Sequence, residues 1–149
     1  MFLLTRIMLT SSFNLGLERE MKKMTSVHDN EIISYEVSLK NRTIIMNTFD
    51  YQTESLTKIV FSDVFAHMFE TELENSIILD IKKSEISNFV IDHRDVLDKY
   101  KNSTWPMYYN TIEELSERLL IENYNYYEIL SSFGLSGWVI ARNYELIKA

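Results

Sequence analysis

The chain of 149 residues has no cysteine, one proline, three glycines and three histidines. Without thiols there is no disulfide, no thiolate metal site and no cysteine nucleophile, and their absence fits a reducing compartment. So few glycines can hardly build a phosphate-cradling loop, and neither the Walker nor the dinucleotide pattern occurs. The nearest approach to G-x-S-x-G is Gly134-Leu-Ser-Gly137, one residue short. Basic residues are also in deficit: 15 Lys and Arg against 22 Asp and Glu give a formal net charge of −7. Nucleic-acid binding needs a basic face, so this balance argues against it, and it argues equally against an anionic membrane surface. It permits a basic protein partner, because complementary charge speeds encounter and suppresses wrong partners. It also serves solubility alone.

What is abundant is Ile, Asn, Lys, Tyr and Phe, all encoded by AT-rich codons, which points to an AT-rich bacterial or phage genome. The length suits one domain, with enough chain to bury a core without staples.

Residues 1–20 differ in character from the rest. Met1-Phe-Leu-Leu, Arg6 and Ile7-Met-Leu make a poor signal peptide, because the charge interrupts the apolar run and no A-x-A site follows. Glu18-Arg19-Glu20 before Met21 can be encoded GAA-AGG-GAG-ATG, which holds a ribosome-binding sequence ahead of a start codon. The expectation is therefore a non-native extension over 1–20 and a single cytoplasmic α+β domain over 21–149.

Within that domain Ile32–Leu39 alternates, with Ile33, Tyr35, Val37 and Leu39 on one face, as a half-buried strand does. Lys40-Asn-Arg42 is a turn, and Thr43–Phe49 returns as the second strand of a hairpin. Leu56–Phe61 is a third strand and Ser76–Ile81 a fourth. Asp63–Glu70 suits either a helical turn or a strand. The period then changes. Ser84 is placed to cap a helix whose apolar face is Ile86, Phe89, Val90, His93, Val96, Leu97 and Tyr100, ended by Trp105-Pro106. Thr111-Ile-Glu-Glu114 is a capping box opening a second helix to about Asn123. From Tyr124 to Arg142 the densest run of β-formers, with Gly134 and Gly137, reads as a terminal hairpin. The fold class is thus α+β, a mostly antiparallel sheet of about six strands, with two helices between strand 4 and that hairpin.

Few residues could carry chemistry. His28-Asp29 stands just before the first strand, where it could join a metal or acid–base site, or where Asp29 or Asn30 could form an Asx-turn. His67 lies among aromatics. His93 falls on an apolar helix face and reads as packing. Three histidines without shared spacing do not make a zinc site, so no cofactor is expected. Aromatics are in surplus. Trp105, Tyr108, Tyr126 and Trp138 are the candidate anchors for a partner, since Trp and Tyr dominate binding hot spots. The alternative is that they pack under the sheet. Trp138 and Val139 point to opposite faces of one strand, and the expectation is Val139 inward and Trp138 toward a groove or interface.

The pattern His28-Asp-Asn-x-Ile-x-Ser-Tyr35, Val64-x-Ala-His-x-Phe69, Ile77-Ile-x-Asp-Ile81, Trp105-Pro106 and Ser131-Ser-x-Gly-Leu-Ser-Gly-Trp-Val139 resembles a family of small uncharacterised proteins of Gram-positive bacteria. More loosely, the His-Asp pair leading into a strand is similar to small β-rich immunity proteins of polymorphic-toxin systems. The resemblance transfers no residue role. It implies a non-catalytic, cytosolic binding protein that neutralises a toxin, with a basic toxin domain as partner. The alternative is a metal-assisted hydrolase or ligand-binding accessory protein using His28, Asp29 and His67.

Overall fold

The computed structural model describes residues 26–149; the expected start at Met21 and the extension over 1–20 lie outside them. Six strands form an antiparallel barrel: β1 (Glu31–Ser38), β2 (Thr43–Asp50), β3 (Ser55–Glu70), β4 (Ile77–Ser84), β5 (Asn125–Phe133) and β6 (Ser136–Lys148), in the closed order β1-β2-β3-β6-β5-β4. Between β4 and β5 run α1 (Ile86–Asp92), α2 (Arg94–Tyr100), a short 3-10 turn and α3 (Ile112–Ile121). The expected class, sheet and helix placement hold. Among the described residues, no helix is long and apolar enough to cross a membrane.

Two cores result. Ile44, Met46, Ile59, Phe61, Ile78, Ile129 and Val139 fill the barrel. Phe89, Leu97, Leu115, Leu119, Tyr126, Trp138 and Ile140 form a second core where the helices cover the outer face of β5 and β6. The run Trp138-Val-Ile-Ala141 is buried throughout, as a strand covered on both faces must be.

Several local expectations change. Asp63–Glu70 is strand: β3 continues through a left-handed Asp63 and an irregularity between Val64 and Ala66, and its distal half pairs with β6. In β1 a bulge between Ile32 and Ser34 shifts the alternation, so Ile32 is buried while Ile33 is exposed. Such an extra residue resets which side chains face inward. Leu39 is likewise exposed, leaving Tyr35 and Val37 against the barrel core. Ser84 does not cap α1: it ends β4, and its hydroxyl donates to Glu128. Glu85 holds the N-cap position without a side-chain cap. The expected first helix breaks at His93 into α1 and α2, and the His93 ring bonds the Tyr126 hydroxyl at 2.9 Å. Thr111 does cap α3, accepting from the Glu114 amide at 3.2 Å, but the Glu114 carboxylate reaches one residue further back, to the amide of Asn110.

Candidate functional site

The seven side chains singled out in the sequence form no single site: Trp105, Tyr126 and Trp138 share the second core, and His28 and Asp29 meet on a turn. Trp138 is 3% exposed and packs its ring on Phe89, His93 and Trp105, so it belongs to the second core and not to a groove. Tyr126 is 1% exposed and joins it there. Burial pushes the Tyr126 hydroxyl well above the ordinary tyrosine range, with Glu128 and Asp92 adding to the effect. Trp105 is partly buried, edge-on to Tyr100. Of the four anchors only Tyr108 is on the surface, at 68% exposure.

His28 and Asp29 meet at 2.9 Å on an exposed turn closed by the Asn30 amide on the Val27 carbonyl, with Asp29 left-handed. The Asx-turn is not what closes it. Asn30 instead sends its side chain inward to Thr48 at 3.0 Å. His67 sits on distal β3 in a groove that neither His28 nor Asp29 lines, and burial lowers its pKa. Among the described residues no three His, Asp or Glu side chains are grouped to hold a metal ion. The three residues of the hydrolase alternative therefore do not form a metal-ligand group.

A different constellation does assemble, and barrel closure makes it. β1 pairs with β2 along its length but meets β4 only at Glu31 opposite Ile77. The last backbone bond across this seam runs from the Ile32 amide to the Ser76 carbonyl. Beyond it, β1 and the β3–β4 connection diverge, leaving a cleft of ≈ 540 Å³. Glu31, Tyr35, Glu72 and Glu74 line it, with Ile33 and Leu73 exposed among them, and among the described residues its lining includes no Lys, Arg or His.

Its walls are fixed by the fold. The Ser76 hydroxyl donates to the Leu73 carbonyl at 2.6 Å and accepts from the Leu135 amide at 2.9 Å, tying the connection to the β5–β6 turn. Gly134 is required there: its φ is +77°, and a Cβ would lie 2.2 Å from the Ser76 hydroxyl. Two carboxylates are oriented by phenols. Tyr35 donates to Glu72, and Tyr51 to Glu31. The Glu72 bond and burial push Tyr35 up to about 12, so the phenol stays a neutral donor. Tyr35 also stacks edge-on against Phe69, at 5.1 Å between ring centres.

Chemically, this is a preset acidic cleft with an aliphatic lip. It offers acceptors to a lysine or arginine side chain and apolar surface to the stem of that side chain. The sequence concealed it, because Tyr35 and Glu72 lie 37 positions apart and Glu72-Leu-Glu-Asn75 reads as a polar linker. The only signal was Glu72-x-Glu74 beside a strand bearing Glu31. No protein-family model matches the sequence, and neither a curated protein nor a solved structure resembles it significantly.

Proposed function

We propose that this is a non-catalytic binding protein, an immunity-type inhibitor that docks on and neutralises a basic toxin domain. The observation that carries the reading is the acidic cleft between β1 and the β3–β4 connection, with Glu31, Glu72 and Glu74 around an aliphatic lip. The net charge of −7 adds long-range attraction for a basic face, and short-range specificity comes from the oriented carboxylates. The resemblance to immunity proteins supports the same class of role.

The test is co-expression with the toxin domain encoded beside this gene. The full chain should restore growth, and the Glu72→Lys/Glu74→Lys chain should fail to do so while keeping the wild-type circular dichroism spectrum. Protection that survives the double charge reversal, or a genome with no toxin gene beside this one, contradicts the reading.

A further inference from the structure

A second groove, of ≈ 420 Å³, opens near the other end of β1, lined by Leu39, Arg42, Thr43, His67, Glu122 and Tyr124 among others. Unlike the acidic cleft, its described lining sets Arg42 and His67 beside the carboxylate of Glu122. Arg42 and Arg142 flank Tyr124. Arg42 Nη2 donates to the Tyr124 hydroxyl at 2.6 Å, and the Arg142 guanidinium lies over the ring at 4.6 Å. Among the described residues neither arginine pairs with a carboxylate. That is the common state of the basic side chains here: among the described Lys and Arg, only Lys82 and Arg118 pair with a carboxylate. Glu122 does line the groove, but its carboxylate is drawn to Arg118 on α3 at 3.4 Å, and its carbonyl takes the Arg142 Nε–H.

Arg42 is also held in place. Its carbonyl accepts from the Val64 amide at 2.9 Å and its Nε donates to the Val64 carbonyl at 3.2 Å. A guanidinium fixed in this way has lost most of the freedom that binding would otherwise cost it. Beside it runs an unpaired strand edge. β2 pairs with β3 only as far as Phe61, while β6 pairs with β3 through Glu70. Among the described residues, no strand lies on the β2 side of Phe65–Glu70, so alternate backbone groups of that half-strand point outward. Phe65, Ala66 and His67 line the groove along this edge.

We propose that the groove recognises a carboxylate carried on an extended peptide, with Arg42 as the cationic anchor and the open edge of β3 as the backbone partner. Strand addition supplies sequence-tolerant hydrogen bonds, and a planar guanidinium fixes where the carboxylate sits. The exposed Leu39 on the rim offers apolar contact to a side chain of the added strand. This inference stands apart from the acidic cleft and needs neither the toxin nor Glu72.

The test is a titration of the isotope-labelled full chain with three short probes followed by NMR: acetyl-Thr-Val-Thr-Val with a free C-terminal carboxylate, the same peptide amidated, and an amidated peptide carrying one internal glutamate. The free-acid or the glutamate peptide should give saturable shifts at the amides of Phe65–Glu70 and at Arg42 Nε–H. The neutral amide should bind at least about tenfold more weakly. Which of the two acids binds tells whether a chain terminus or an acidic side chain is read. Arg42→Gln should remove the preference for the acids and leave the rest of the spectrum in place, and Arg42→Lys should restore only part of it. No saturable shift with any probe up to about 5 mM, or equal binding of acid and amide, overturns the proposal.

Discussion

Replacing Trp138 by alanine is expected to cost the fold about 3–5 kcal/mol. The indole is 3% exposed and meets Phe89 at 4.8 Å, His93 at 5.2 Å and Trp105 at 6.0 Å between ring centres. A tryptophan buries about 150–250 Å², which at ~25 cal/mol per Å² is a transfer contribution of about 4–6 kcal/mol. Alanine retains a little of that, and incomplete collapse of the cavity adds a penalty. Domains of this size are stable by about 5–15 kcal/mol in total, so the variant should lose a large part of its margin. The damage should begin locally. Trp138 faces the helices and not the barrel interior, so α1 should loosen first. Urea unfolding of the wild type and of Trp138→Ala measures the loss, and amide exchange locates it. A loss within about 0.5 kcal/mol, the range of ordinary surface substitutions, would place the indole at a surface and refute the two-core description. Val139→Asp, which buries an unpaired charge inside the barrel, should not fold at all.

Other expectations follow from single contacts. Gly134→Ala should destabilise the β5–β6 turn measurably in thermal unfolding, because its left-handed φ and the nearby Ser76 hydroxyl leave no room for a Cβ. Thr111→Ala should cost about 1 kcal/mol through loss of the α3 cap. Tyr144 is raised from 10.0 to about 12 by burial, then by Asp80 and Tyr127, and Tyr35 is raised as far. Raised phenol pKa values mean that the fold favours the neutral form. That stability is complete below pH 10 and is lost as pH rises through about 12. An alkaline unfolding midpoint in this window should therefore coincide with tyrosinate absorbance, and Tyr35→Phe/Tyr144→Phe should move it upward. Unfolding that precedes any tyrosinate signal would contradict this.

Much of the fold is written locally. The β1–β2 hairpin, the Thr111 cap and the glycine-bearing terminal turn each act over a few residues, and each is visible in the sequence. Ile33 and the Asp63–Glu70 segment are not, because they are decided by irregularities of strand pairing, between Ile32 and Ser34 and between Val64 and Ala66, that leave no mark on composition. Trp138 was readable in principle: Trp138-Val-Ile-Ala141 is a continuous apolar run, the signature of a strand buried on both faces. The single strongly exposed anchor, Tyr108, could not be told from its buried neighbour Tyr109, since identical residues adjoin. The acidic cleft was hidden most completely. Glu31, Tyr35 and Glu72 come together only where the last strand pair of the barrel opens, and no periodicity links them.

The most direct test of the central claim is the association rate of the full chain with a basic toxin domain against whose toxicity it protects, measured by stopped-flow at low and high salt. Steering by Glu31, Glu72 and Glu74 predicts a fast rate that falls by about tenfold or more as salt screens the charges. It also predicts a slower rate with a weaker salt dependence for Glu72→Lys/Glu74→Lys, which leaves a net charge of −3 (−7 + 4). A rate that ignores both salt and the charge reversal would contradict the acidic cleft as the docking surface.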